Sequence, residues 1–109
     1  MATISNVVID QGTTFSLELN LTNDDASAKD LTNYTVTSQM RKSYEATTAT
    51  AFTTAQVNAT GKITISLTAA ETAAIKAGRY VYDIEIASSS ETLRVLEGIV
   101  TVTPIVTRA

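Results

Sequence analysis

Over residues 13–22 apolar and polar side chains alternate, with Phe15, Leu17, Leu19 and Leu21 on one side and Ser16, Glu18 and Asn20 on the other. A period of two is the pattern of a half-buried strand. It recurs at 62–67, where Ile63, Ile65 and Leu67 oppose Thr64 and Ser66, and at 79–86, where Tyr80, Tyr82, Ile84 and Ile86 oppose Val81, Asp83 and Glu85. Residues 34–42 predict a further strand burying Val36, Ser38 and Met40. Three segments carry a weaker pattern. Ile4, Val7, Val8 and Ile9 give a short strand over 4–10 that is not cleanly one-faced. Residues 49–58 hold Phe52 and Val57 among alanines and threonines. In 92–107, Leu93, Val95, Leu96, Ile99, Val100 and Val102 cannot share one face, so a bulge near Glu97-Gly98 or burial on both faces is expected.

The connections are marked as clearly. Gln11-Gly12 turns the chain, NDDASAKD over 23–30 and the polar 43–48 read as loops, Asn58-Ala59-Thr60-Gly61 as a hairpin loop with a left-handed glycine, and 87–91 as a serine-rich hairpin tip. Between the strands at 62–67 and 79–86, Thr68 followed three residues later by Glu71 forms a capping box that starts a helix of one to two turns. Gly78 is expected to end that helix in the left-handed conformation. Short strands at regular spacing with one short helix predict an all-β protein. The expected fold is an immunoglobulin-like antiparallel β-sandwich of seven to eight strands with one short helix, a single domain over 1–109. A small closed barrel is the other architecture compatible with the pattern.

At 109 residues the chain is long enough for one core without staples. It has no cysteine and no histidine, hence no disulfide framework or thiolate site, and neither the usual general base at neutral pH nor the commonest nitrogen ligand of transition metals. Eight basic residues against eleven acidic ones, net charge −3, form no cluster beyond Arg41-Lys42, so no nucleic-acid partner is expected. The amino-terminal MATISNVVIDQG resembles no secretory leader and no stretch reaches membrane-spanning length. Synthesis in a cytosol is expected, without a membrane partner, and the Asn-x-Thr triplets at Asn20, Asn33 and Asn58 read as products of a threonine-rich sequence rather than glycan sites.

Two groups of carboxylates are candidates for chemistry. Asp24, Asp25 and Asp30 share one loop and could offer oxygens to calcium. Their spacing lacks the regularity of a calcium loop, and acids in turns commonly bond their own backbone, so a solvated loop is the reading taken here. Asp83 and Glu85 stand side by side on one strand face, formally like the acid pair of a glycosidase. A polar outer strand face predicts the same residues, with Arg79 or Arg94 as partners, and Tyr80 and Tyr82 belong to the core side. The expectation is therefore a non-enzyme with no cofactor, no metal and no small-molecule substrate. One surface feature points to a partner: Val81 and Ile99 fall outside the core on neighbouring strands, with Ile105 farther along and Val7 or Ile9 adjacent, an apolar strip suited to a protein interface.

Four motifs in order, Gln11-Gly12 before the Phe15-Leu17-Leu19 strand, Asp30-Leu31-Thr32 with Tyr34, Gly78-Arg79-Tyr80 with Tyr82-Asp83, and Glu97-Gly98 with Val100, Val102 and Pro104, resemble a family of small tailed-bacteriophage virion proteins. The chain is similar over nearly its whole length to the amino-terminal domain of phage baseplate upper proteins. The resemblance implies a module that docks on a virion against copies of itself or other virion proteins, with no catalytic residue. The chain stops at Ala109, where longer baseplate proteins continue, which implies an adaptor or joining role in baseplate or tail. Capsid decoration on a phage head and carbohydrate binding at a cell surface are the alternative roles.

Overall fold

The computed structural model describes residues 3–22 and 27–106. Two sheets face each other. One has the order β3(Phe15–Asn20), β7(Lys62–Leu67), β6(Thr53–Val57). The other runs β5(Thr50–Ala51), β4(Thr35–Arg41), β8(Gly78–Ala87), β9(Thr92–Thr103), and β1(Thr3–Ile4) and β2(Val7–Asp10) both lie along the far edge of β9. The fold is the expected all-β sandwich, with the strand order of the immunoglobulin type. Among the described residues nine strand segments stand where seven to eight were expected, because the first and fourth predicted strands each break in two.

The dry faces are those read from the alternation. Val36, Ser38 and Met40 of β4, Ile63, Ile65 and Leu67 of β7, and Tyr82, Ile84 and Ile86 of β8 are all buried. Phe15 and Tyr82 flank Phe52, at centroid distances of 5.9 and 6.3 Å, tying the sheets together. Buried Ser38 donates to the Asp83 carbonyl at 2.6 Å, so its hydroxyl is satisfied within the sheet. Phe52 is also where the chain changes sheets: Ala51 pairs with β4, the Phe52 amide donates to the Ser38 carbonyl, and Thr53 begins the ladder to β7. Val57, at the end of β6, is exposed.

The helix α1(Ala69–Ala73) has the predicted capping box: Thr68 Oγ1 accepts from the Glu71 amide and the Glu71 carboxylate from the Thr68 amide. It ends earlier than expected. Ala74 is its C-cap, in right-handed conformation, and Gly78 instead opens β8. Thr72 positions the helix: its wholly buried hydroxyl donates to the Thr13 carbonyl at 2.7 Å and fastens α1 to the turn before β3. The Tyr80 hydroxyl then donates to the Lys76 carbonyl at 2.7 Å, the tyrosine corner common in immunoglobulin-like sandwiches. Gly61, at φ 68°, closes the β6–β7 turn as predicted.

The main departure is at the amino-terminal strand, which joins the sheet in parallel rather than antiparallel fashion. Val7, Val8 and Ile9 pair with Val100, Thr101 and Val102, and Thr3 and Ile4 pair with Leu96 and Glu97. Between the two segments the chain crosses directly over Gly98. The Ser5 amide donates to the Glu97 carbonyl at 2.8 Å, the Ser5 carbonyl accepts from the Tyr82 hydroxyl at 2.6 Å, and Asn6 Oδ1 accepts from the Ile99 amide at 3.0 Å. The bulge in β9 lies at Val95, opposite the Ile84–Glu85 step, rather than at Glu97-Gly98. Gly98 serves this crossing: a Cβ there would stand 2.1 Å from the Ser5 carbonyl oxygen.

Candidate functional site

The outer face of the larger sheet gathers most of the residues singled out in the sequence. Cross-strand register sets them in rows. Arg41, Val81 and Ile99 form one row; Gln39, Asp83, Glu97 and Ile4 form the next; Thr37, Glu85 and Arg94 form a third. On the other side of the Val81 row stand Arg79, Thr101 and Val8. Val81 and Ile99 are therefore direct cross-strand partners, half-buried and 40% exposed respectively.

The apolar strip differs in membership from the expected one. Ile9 is 1% exposed and belongs to the core, and Val7 packs against it. Parallel pairing is the physical reason: Val7 and Ile9 stand beside the buried Val100 and Val102, which turns Val8 outward. Ile105 also leaves the strip. Its amide donates to Gln11 Oε1 at 3.1 Å, and its half-buried side chain lies over Gly12. The solvent-facing aliphatics are Ile4, Val8, Val81 and Ile99, with Ile4 73% and Val8 60% exposed. Sequence reasoning missed Ile4 and Val8 because three consecutive apolar residues at 7–9 have no period from which to choose a face.

The acidic pair is held by arginine. Arg94 Nε lies 3.2 Å from Asp83 Oδ2 and its NH1 3.9 Å from Glu97, while Glu85 stands opposite Arg94 in register. Arg94 is thus the partner expected of the outer-face acids, and Arg79 is exposed one row beyond Val81. On the β4 side, Arg41 donates to the Ala46 carbonyl at 2.7 Å and to Gln39 Oε1 at 3.1 Å, folding the 43–46 loop back beside the sheet. Between that loop and β8 lies an open cleft of about 380 Å³ lined by Gln39, Arg41, Asp83, Glu85, Arg94 and the exposed Tyr44. Asp83 is ion-paired with Arg94, and Glu85 stands beside it on the same partly exposed face.

Below the face, burial raises the pKa of the Tyr82 phenol above its ordinary value, opposed by the Ser5 side chain, while the phenol donates to the Ser5 carbonyl. The loop acids divide. Asp24 and Asp25 lie outside the described residues; Asp30 accepts from both the Thr32 amide and hydroxyl, at 2.9 and 2.6 Å, which lowers its pKa. This is the Asx-turn role read from the sequence. Among the described residues no three acidic side chains gather as a metal site would need, and no helix is long and apolar enough to cross a membrane.

Comparison with known protein families and with curated proteins gives no match. Among solved structures the chain is similar to InlP of Listeria monocytogenes, at 15% identity and a TM-score of 0.52, over 94% of this chain and 28% of that one. A family 123 glycoside hydrolase from Clostridium perfringens aligns at 12% identity and a TM-score of 0.44, over 94% of this chain and 23% of the hydrolase. The chain spans less than a third of the length of either protein, and at 15% identity the likeness to InlP is one of fold.

Proposed function

We propose that this chain is a non-enzymatic structural module of a tailed-bacteriophage virion, an adaptor in baseplate or tail, and that it assembles through the outer face of its larger sheet. The observation that carries the assembly role is the in-register Val81–Ile99 pair with Ile4 and Val8 beside it, four aliphatic side chains gathered on a solvent-facing sheet. Burying apolar surface releases roughly 25 cal/mol per Å², and a sheet face carries such residues to advantage when a partner covers them. The pairing of Asp83 and Glu97 with Arg94 supports a recognition surface of fixed charges rather than an acid–base pair. Placement on a virion rests on the ordered motifs from Gln11-Gly12 to Pro104 and their resemblance to baseplate upper proteins.

The test is peptide mapping by mass spectrometry of density-banded phage particles from a host in which the chain is made. The expected result is the chain in stoichiometric ratio to the other virion proteins, reduced by Ile99→Asp in a variant that still melts cooperatively. A chain abundant in the lysate and missing from banded particles would refute the virion role. Turnover of aryl glycosides that is abolished by Asp83→Asn would refute the non-enzymatic reading.

A further inference from the structure

The outer face of the larger sheet is electrically polar along its strands. Taking the Val81–Ile99 row as the centre, the row on one side offers the exposed Arg79 beside Thr101 and Val8. The row on the other side offers Asp83 and Glu97 beside Ile4. Glu85 follows one row farther out, opposite Arg94, whose single charge is shared between Asp83 and Glu97 and leaves this end net acidic. Asp10 stands exposed one row beyond Arg79 and Arg41 stands in the Val81 row, so the rows from Arg79 to Val81 are basic on balance and those from Asp83 to Glu85 acidic, with aliphatic side chains on the dividing line and along the β9 edge.

The geometry points to a second copy of this chain as the occupant of that face, docked with strands antiparallel about a twofold axis that crosses the strands at the Val81–Ile99 row. The inference rests on the assembly role proposed above and names its partner. Such an axis keeps each strand over its own counterpart and exchanges the rows on either side. Val81 and Ile99 then meet their own copies, as does Arg41 at the β4 margin, where its guanidinium is held by the Ala46 carbonyl and Gln39; Arg79 meets the partner's Asp83, Thr101 meets the partner's Glu97, and Val8 meets the partner's Ile4. An isologous contact needs a self-complementary surface, and exchange of these rows makes this one complementary in charge and in apolar contact together. A twofold axis along the strands would instead keep every row over its own kind, setting acid against acid, so charge selects the antiparallel arrangement. Three strand columns about 4.8 Å apart and four rows about 7 Å apart cover roughly 400 Å² per copy, about half a standard interface. The expected association is reversible and micromolar or weaker.

Sedimentation equilibrium of the full chain, from about 10 μM to 1 mM at low and at 0.5 M salt, tests the inference. A reversible monomer–dimer equilibrium weakened several-fold by salt is expected, since close charges are screened over a few ångströms at high ionic strength. Thr101 is a surface position that leaves the Arg94 ion pairs untouched. Thr101→Lys is expected to tighten the dimer and Thr101→Glu to weaken it about tenfold; the opposite order would overturn the antiparallel alignment. Because the chain has no cysteine, a mixture of Ile4→Cys and Val8→Cys chains should oxidise to the mixed disulfide dimer in excess over the statistical ratio. A statistical ratio would refute the row exchange. A wild-type chain monomeric at 1 mM yet stoichiometric in banded virions would sink the second-copy inference and leave the assembly role standing. A dimer absent from virions would sink the virion role and leave the second-copy inference standing.

Discussion

Alanine at position 98 would drive a methyl group into the backbone crossing between β1 and β2. The added Cβ would lie 2.1 Å from the Ser5 carbonyl oxygen, 2.7 Å from its carbon and 3.1 Å from Asn6 Oδ1. Two of these are main-chain atoms, so no rotamer change relieves the clash, and the crossing must lift by about an ångström. Lifting it strains or breaks three hydrogen bonds: Tyr82 Oη to Ser5 O at 2.6 Å, Ser5 N to Glu97 O at 2.8 Å and Ile99 N to Asn6 Oδ1 at 3.0 Å. At about 1 kcal/mol each, less about 0.5–1 kcal/mol gained when glycine is replaced in a strand, the expected loss is roughly 2–2.5 kcal/mol. Unfolding entropy near 2.1 cal/mol/K per residue gives about 0.23 kcal/mol/K for this chain, so Tm should fall by roughly 9–11 °C. Differential scanning calorimetry of Gly98→Ala measures it. Adding Tyr82→Phe should lower Tm by less than the sum of the single effects, because the two changes disturb one hydrogen bond. A Tm within 2 °C of the parent, or full additivity, would show that Gly98 does not hold the crossing.

Other outcomes follow from named contacts. Thr72→Val keeps the shape but removes the buried donor to the Thr13 carbonyl; a loss of about 1–2 kcal/mol in urea denaturation is expected, with Thr72→Ser recovering most of it. Tyr82 has a folded pKa above its ordinary 10.0, so the fold favours the neutral phenol. Its contribution is full below about pH 10 and is lost as pH rises through the folded value. Tyr34, whose pKa is raised by its hydrogen bond to Glu91, adds to the same alkaline slope. Tyr82→Phe should therefore shrink but not abolish the fall in Tm between pH 9 and 11. Arg94→Ala removes a half-exposed ion pair with Asp83 and should change stability by less than about 1 kcal/mol; a loss above 2 kcal/mol would mean that the outer-face charges support the fold itself.

What could be read in advance divides along physical lines. Strands with one wet and one dry face declare themselves: β3, β4, β7 and β8 follow the alternation, including the burial of Ser38, and the capping box at Thr68 and Glu71 follows local stereochemistry alone. Pairing direction is not local. Val7, Val8 and Ile9 can face either way, and only the neighbour they choose, Val100 to Val102, decides that Val8 is outside. For the same reason Val81 and Ile99 lie on the outer face as expected, while Val7 and Ile9 turn to the core and Ile105 packs over Gly12. Glu97-Gly98 was marked as irregular for a bulge, while its actual irregularity is a tertiary crossing by residues more than ninety positions away. Gly78 looked like a helix stop because it follows a capped turn, but the buried bond from Thr72 to Thr13 had already fixed where the helix lies.

The parallel pairing of the first strands with the last also sets how the sandwich bears mechanical load. Tension applied from the two ends of the chain pulls β2 and β9 in opposite directions along a shared axis, so their ladder, together with the Ser5–Glu97 and Gln11–Thr103 bonds, is sheared as a group. An antiparallel edge strand pulled in the same way would peel away one bond at a time. The crossing over Gly98 adds a step that resists sliding, because Ser5 must climb past the Tyr82 hydroxyl before the strands can move. The edge that looks least regular in the sequence is thus the one arranged to carry force through the domain.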